Sequence, residues 1–160
     1  MRRTVGRRFA AGIAILSLIV AVGLQAQQSQ QTQQTKKFEP EVGQAGKDVV
    51  WVPTSQELVE KMLDMAKVTA NDFVIDLGSG DGRTVIAAAK RGAHAMGIEY
   101  NPDMVELSKA NAAAAGVTDK ATFMKADLFE SDFSKATVIT MFLLPSINAK
   151  LRPKLLEMPP

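Results

Sequence analysis

An apolar run that ends at an acid and then carries glycine at every second position constrains this chain most, in residues 73–83 (FVIDLGSGDGR). The apolar residues before the acid are the β-branched, aromatic and aliphatic types of a strand buried on both faces of a parallel sheet. The glycines that follow permit positive φ angles and let a ligand approach bare backbone. A helical pattern begins at Arg83. A strand, a glycine loop and a helix N-terminus together predict a site for a polar or anionic group.

The spacing of the glycines and two nearby acids narrow the kind of ligand. Gly78, Gly80 and Gly82 read G-x-G-x-G, whereas a dinucleotide loop reads G-x-G-x-x-G and needs its third glycine for helix–strand packing. Asp76 suits a ligand with an ammonium group, and Asp81 adds negative charge where a pyrophosphate would be repelled. The pattern therefore disfavours NAD, FAD and a nicotinamide oxidoreductase, and favours a cationic nucleoside that bears an amino acid.

Three further residues follow predicted strands at the same edge of the sheet. Glu99 closes the second strand, where its carboxylate can accept both ribose hydroxyls, although a solvated strand-end acid is the alternative. Tyr100 either packs on an adenine face or is a rim aromatic. Asp127 either belongs to the same site or caps a helix. His94 is the sole histidine and the chain has no cysteine, so we predict no metal centre and no thiol nucleophile.

These motifs resemble a known family. Residues 76–82 (DLGSGDG) resemble the first motif of the class I S-adenosylmethionine (SAM) methyltransferases, Glu99 resembles the acid closing their second strand, and Asp127 resembles their third motif. Residues 50–55 (VWVPTS) and 142–145 (FLLP) narrow the resemblance to the lysine methyltransferases that modify the ATP synthase c subunit and the adenine nucleotide translocase, and to their bacterial relatives. The non-SET histone lysine methyltransferases are more distantly similar.

The resemblance implies a Rossmann-like class I methyltransferase fold, an α/β parallel sheet of which this chain supplies about the first four strands and stops before the fifth. It implies SAM as cofactor, with Asp127 accepting a hydrogen bond from the amino group of the adenine. The cofactor-binding residues that it implies are Asp76, Gly78, Ser79, Gly80, Asp81, Gly82, Glu99, Tyr100, Asp127 and Leu128.

The resemblance also implies a slot through which an amine reaches the methyl group. We expect Trp51, Pro53, Thr54 and Pro145 to line this slot, while a staple that docks the entry strand is the alternative for the first three. Methyl transfer from a sulfonium needs positioning more than acid–base chemistry, so we assign no catalytic residue. Protein lysine is the leading acceptor, and a small-molecule methyltransferase or a non-enzymatic SAM-binding fragment are the alternatives.

The N-terminal residues form no part of the predicted domain. Four arginines, an apolar run of 16 residues from Phe9 to Leu24 and the sequence LQA outline a signal peptide over residues 1–26, with an uncleaved anchor or a mis-assigned start as alternatives. A Gln-rich linker over residues 27–47 follows, and the methyltransferase domain spans residues 48–160. We therefore expect an exported protein, periplasmic or secreted, or an anchored one that meets the membrane only through this segment.

The net charge of the chain indicates which class of partner it can bind. The formal charge is +2, but residues 1–26 hold four arginines and no acid, so the remaining chain carries −2. Such a domain lacks the basic surface typical of nucleic-acid binding, and we predict a protein or small-molecule acceptor and no nucleic acid.

Helix and strand patterns alternate along the domain, which predicts a parallel sheet with right-handed connections. The predicted strands cover residues 73–77, 94–99, 121–125 and 136–140, and the predicted helices run from a Thr54 cap to about Lys67, over 101–115 and over 147–156. Strand 4 continues into an uncharged apolar run, residues 138–144. An unpaired edge of this kind templates aggregation, so we expect self-association through strand 4.

Overall fold

The computed structural model describes residues 38–158. The predicted signal peptide or anchor and residues 27–37 of the predicted linker lie outside the described part. In chain order the elements are α1 (Gln56–Met65), β1 (Phe73–Leu77), α2 (Arg83–Lys90), β2 (His94–Glu99), α3 (Pro102–Ala114), β3 (Ala121–Lys125), β4 (Val138–Met141) and α4 (Pro145–Leu156). Within residues 38–158 no helix combines the length and apolarity that crossing a bilayer requires.

The four strands form one parallel sheet in the order β3-β2-β1-β4. The register places Leu77 opposite both Ile98 and Met141, so the strands end together at one edge. Because the chain reverses its direction of sheet growth between β1 and β4, a crevice forms outside their carboxyl ends. The predicted Rossmann-like parallel sheet is confirmed.

The core lies on both faces of β1, as its continuous apolar sequence predicts. Val74 packs with buried side chains of α1, α2 and α3 on one face. Ile75 and Leu77 point to the other face, where they join Ile147 and Leu151 of α4. Alternation along the strand sends neighbouring side chains to opposite faces, and β1 is therefore held rigidly under the glycine loop.

Three elements, α1, α4 and β4, begin at residues other than those predicted. Ser55, not Thr54, caps α1: its backbone is extended and its Oγ accepts the amide of Leu58 at 3.3 Å. The last helix begins at Pro145 rather than Ile147, since a proline fits the first helical position, where an N–H would have no partner. The fourth strand begins at Val138, two residues later than predicted, because the Ala136 amide closes a turn on the carbonyl of Phe133.

Candidate functional site

The glycine loop has a backbone that other residues cannot adopt easily. Gly78, Gly80 and Gly82 have φ angles of +77°, +54° and +82°. A Cβ built on Gly80 would lie 2.7 Å from Nε1 of Trp51, and one on Gly82 would lie 2.7 Å from Cε1 of Phe123. Both positions therefore need glycine for conformation and for space.

Most amides of this loop already have partners inside the protein. The amides of Gly78 and Ser79 donate to the carbonyl of Ile98 at 2.9 and 3.1 Å, and the Gly82 amide donates to the carbonyl of Ser79 at 2.9 Å. The Gly80 amide donates to Oε2 of Glu99 at 2.9 Å. Few loop N–H groups remain for an anion, which differs from the site for an anionic group that the pattern allowed and further disfavours a pyrophosphate.

Asp76 is the buried acid of the crevice. The residue is 6% exposed, and Oγ1 of Thr140 donates to its Oδ1 at 2.6 Å. Burial raises the pKa of Asp76 to about 6, while hydrogen bonds from Thr140 and Thr84 act in the opposite direction and the charges of Glu99 and Asp81 add to the rise. A cation that approaches this carboxyl would favour its ionised form.

Glu99 joins the glycine loop to the start of α3. Its Oε2 accepts the Gly80 amide and its Oε1 accepts the Asn101 amide, both at 2.9 Å. Each carboxylate oxygen has a second lone pair, so the side chain can still accept hydroxyl protons. Tyr100 stands at the rim with 48% of its surface exposed.

Asp127 has two partners in the structure. Its Oδ1 accepts the amide of Phe129 at 2.9 Å, which is the local cap-like role, and its Oδ2 accepts from the ammonium of Lys47. The hydrogen bond from Lys47 lowers the pKa of Asp127, with the Phe129 amide as the next cause. Lys47 also lies 4.8 Å from the centre of the Tyr100 ring. Sequence reasoning missed Lys47 because it falls in the predicted linker, with no periodic pattern around it.

The residues before α1, which we call the entry segment (residues 43–54), cover the crevice. Backbone hydrogen bonds from the Gly43 amide to the Trp51 carbonyl (2.8 Å) and from the Trp51 amide to the Gln44 carbonyl (2.9 Å) fold this segment back on itself. Arg83 donates to the carbonyl of Thr54 at 2.6 Å. Residues 44–47 line the crevice, so the ordered site begins earlier than the predicted linker boundary.

The structure brings twelve of the fourteen predicted site residues into one crevice. Those that line it are Trp51, Pro53, Thr54, Asp76, Gly78, Ser79, Gly80, Asp81, Glu99, Tyr100, Asp127 and Leu128. Gly82 does not line the crevice, because it packs against Phe123 and Ser108. Pro145 does not line it either, because it begins α4, and Phe142, Leu143 and Ile147 line that edge instead.

Ser79 and Gly97 form a contact that sequence reasoning missed. A Cβ built on Gly97 would overlap Oγ of Ser79, so only glycine in β2 leaves room for this side chain. The signal was a glycine inside a strand, which often marks close approach of another chain segment. Oγ of Ser79 is buried and has no hydrogen-bond partner among the described residues.

The donor set of the crevice fits SAM. Three carboxylates lie near the carboxyl ends of the strands: Asp76 is the next-to-last residue of β1, Glu99 ends β2 and Asp127 follows β3. Carboxylates accept from ammonium, hydroxyl and amino groups. The engaged loop amides leave little for a phosphate. Among residues 38–158 no group of three or more His, Cys, Asp or Glu side chains is arranged to hold a metal ion. The fold and the donor set are those of a Rossmann-like SAM-dependent methyltransferase domain.

Comparison with known proteins identifies the family. Residues 76–160 match the ANTKMT methyltransferase domain. A protein-lysine N-methyltransferase of Saccharolobus islandicus (strain REY15A) is 47% identical over 109 residues, which cover 67% of this chain and 68% of that protein. The chain belongs to the ANTKMT methyltransferase domain family.

Two other similar proteins differ in their named acceptors. The human lysine N-methyltransferase of the ATP synthase c subunit is 38% identical over 105 residues, and the match covers 66% of this chain and 45% of that protein. This chain thus spans less than half the length of the human relative. The second is an RNA methyltransferase from Salinibacter ruber, whose crystal structure was solved in complex with S-adenosyl-L-homocysteine. It is 52% identical to this chain with a TM-score of 0.66, and the matched region covers 67% of this chain and 71% of the Salinibacter chain.

Proposed function

We propose that this chain methylates lysine side chains of a protein with SAM as the methyl donor. The observation that supports the proposal is the entry segment, whose Trp51, Pro53 and Thr54 line the same crevice as Asp76, Glu99 and Asp127. We assign the three carboxylates to the cofactor and Trp51, Pro53 and Thr54 to the acceptor. The names of the archaeal and human relatives support a protein lysine as that acceptor.

The proposed cofactor contacts follow from the donor set. Asp76 accepts from the ammonium of the amino-acid part, and Glu99 accepts from the ribose hydroxyls. Tyr100 and Leu128 pack on the faces of the adenine, and Asp127 accepts from its amino group. Among the other predicted residues, Gly78 and Gly80 leave space beside the loop. When bound, SAM supplies an electrophilic methyl group on a sulfonium.

The residues of the chain itself position the acceptor. An amine must lie on the axis of the methyl–sulfur bond at little more than contact distance, and such positioning can supply several kcal/mol of the barrier. The indole of Trp51 and the ring of Pro53 exclude water from this wall. A dry environment lowers the pKa of a lysine amine and so favours the neutral, nucleophilic form. We assign no general base.

RNA is the second candidate acceptor, because the 52% identical Salinibacter protein is named an RNA methyltransferase. The charge of the chain supports protein instead. Residues 27–160 carry a formal charge of −2, and an RNA-binding surface depends on a positive field.

Labelled SAM distinguishes these acceptors. Host lysate is incubated with the full chain and SAM that carries a labelled methyl group, and the product is then treated with protease or with ribonuclease. We expect label that protease releases and that mass spectrometry locates on lysine. At a limiting SAM concentration Glu99→Gln should incorporate less label than wild type. Glu106→Gln, which changes an exposed acid of α3 paired with Lys109, should incorporate as much as wild type. Label released only by ribonuclease would refute the lysine proposal.

We also propose that residues 1–26 direct export or anchor the chain. Their four arginines and 16-residue apolar run support this role. N-terminal sequencing of the protein from fractions of the native host tests it. We expect a mature chain that begins near residue 27 outside the cytoplasm, or the whole chain in the membrane fraction; the whole chain in the soluble cytosol would contradict both.

A further inference from the structure

Arg83 joins two parts of the site that are distant in sequence. Its Nε and Nη2 donate to the two carboxylate oxygens of Asp81 at 2.9 and 2.5 Å, and its Nη1 donates to the carbonyl of Thr54 at 2.6 Å. The side chains of Arg83 and Asp81 are 31% and 17% exposed. A planar guanidinium can make all of these bonds at once, which a lysine ammonium cannot do with the same geometry.

The Asp81 end of this arrangement is fixed in the glycine loop. Asp81 lies between two glycines with positive φ, and its carbonyl accepts from Nδ2 of Asn111 in α3 at 3.0 Å. Its carboxylate is engaged by Arg83. Asp81 therefore orients Arg83, while the cofactor contact that the resemblance implies for Asp81 stays a prediction.

The Thr54 end determines where Trp51 lies. Only Val52 and Pro53 separate the two residues, and proline restricts both its own φ and the conformation of the residue before it. The Trp51 indole packs on Gly80, within 2.7 Å of the position of a built Cβ. A bond that holds the Thr54 carbonyl thus restrains the indole over the loop.

We propose that Arg83 is a positioning residue for methyl transfer. Oriented by Asp81, it holds the Thr54 carbonyl, and through the rigid Val52–Pro53 connection it keeps Trp51 on the glycine loop as the acceptor-side wall. The role of this wall in methyl transfer rests on the proposed function. The position of Trp51 on Gly80 does not depend on the proposed function. An experiment can therefore refute the positioning by Arg83 and the proposed function separately.

Trp51 is the sole tryptophan of the chain, so its fluorescence reports the position of the entry segment. Arg83→Met should shift the emission to longer wavelength and raise the acrylamide quenching constant, since the indole then leaves Gly80. Asp81→Asn should give the same change through Arg83, and the double variant should add little to either one.

Arg91→Met is the matched control. Arg91 also donates to a carboxylate and to a carbonyl, those of Glu60 at 2.5 and 3.1 Å, and pairs with Asp64 at 2.8 Å, but it does not bond the entry segment. We expect wild-type Trp51 fluorescence in this variant. Equal changes in both arginine variants, or wild-type quenching in Arg83→Met, would overturn the proposal.

Calorimetry with S-adenosylhomocysteine separates the proposal from the proposed function. Arg83 lines the crevice, but if it acts only by positioning Trp51, Arg83→Met should bind this ligand within about fivefold of wild type, because a partly exposed ion pair contributes little. Loss of binding with unchanged fluorescence would make Arg83 a cofactor residue and overturn a positioning role. If the wild-type chain does not bind, the proposed function fails while the fluorescence result stands. Circular dichroism checks folding, and if Arg83→Met does not fold, Arg83→Lys takes its place with the same expected direction.

Discussion

At the scale of single residues, the protonation of the buried Asp76 carboxyl makes the stability of the folded chain depend on pH. Its pKa is about 6 in the folded chain against the usual 3.8, so the folded state holds a proton that the unfolded chain releases more easily. The stabilisation from this proton is fully present below the unfolded pKa and is lost as the pH rises through about 6. An ionised Asp76 at neutral pH therefore costs stability, and a bound cation would offset part of that cost.

The first prediction concerns stability. Asp76→Asn should raise the free energy of unfolding at pH 7 by up to roughly 3 kcal/mol, because it removes the cost of ionising a buried carboxyl whose pKa is raised to about 6. At pH 4 the difference should shrink, because wild-type Asp76 is then protonated in the folded state. Urea unfolding at the two pH values measures this, and a variant no more stable than wild type at pH 7 would contradict it.

The second prediction concerns ligand binding at the same residue. If Asp76 accepts from the ligand's ammonium, the affinity for S-adenosylhomocysteine should rise between pH 5 and pH 7 and level off above the Asp76 pKa of about 6. The α-amino and α-carboxyl groups of the ligand titrate outside this window. Calorimetry over this range should show no such rise for Asp76→Asn; the same rise in the variant would assign it to another group.

The third prediction concerns Glu99. Glu99→Gln replaces a charged acceptor that already holds the Gly80 and Asn101 amides, and hydrogen bonds to a charged group are worth about 1.5–3 kcal/mol each. We expect the affinity for S-adenosylhomocysteine to fall by about 10-fold or more, as the loss of one such bond implies. Glu106→Gln is the calorimetric control, and unchanged affinity in Glu99→Gln would leave Glu99 only a structural role.

Among the elements, the entry segment contacts the crevice at more than one place. At one end of the crevice Lys47 pairs with Asp127 beside Tyr100, and at the glycine loop Trp51 packs on Gly80. Lys47 therefore already donates to one carboxylate oxygen of Asp127, the residue that we propose accepts from the adenine amino group. Cofactor binding must displace this ammonium or share the carboxylate with it.

The fourth prediction concerns the competition between Lys47 and the cofactor for Asp127. Lys47→Met should bind S-adenosylhomocysteine more tightly by up to about fivefold, because the competing ion pair is exposed and weak. Asp127→Asn should bind it more weakly. Calorimetry of both variants is the measurement, and weaker binding in Lys47→Met would mean that Lys47 instead holds the entry segment closed over the cofactor.

For the whole molecule, β4 is one of the two edge strands of the described sheet, and an apolar run continues from it. Within the described residues it pairs only with β1. The chain that continues from it exposes 56% of Phe142 and 51% of Leu144. Unpaired backbone beside exposed apolar side chains favours pairing with a second chain.

The fifth prediction is self-association of the 160-residue chain through β4. The weight-average mass measured by sedimentation equilibrium should rise with protein concentration. Leu144→Lys should reduce this rise, because a charge opposes edge pairing. Met65→Lys is the control, since Met65 is 74% exposed at the end of α1 and far from β4 in sequence. A wild-type mass that stays monomeric at every concentration would contradict the prediction.

The local pattern of the sequence by itself determined the three strands at residues 73–77, 94–99 and 121–125, the glycine loop and the acids near the carboxyl ends of β1 and β2. Strand periodicity, glycine spacing and cap residues act over a few neighbours, so they can be read before the chain is folded. The parallel order then follows from the alternation of strands and helices.

Only the tertiary structure decided which side chains meet across the crevice. Lys47 reaches Asp127 across 80 positions, and Arg83 reaches the Thr54 carbonyl across 29. Such contacts depend on how separate elements pack, and no local pattern encodes them. The same reason explains why Gly82 and Pro145 do not line the crevice. Gly82 packs against Phe123 and Ser108, and Pro145 begins α4, which packs on the face of the sheet that holds Ile75 and Leu77.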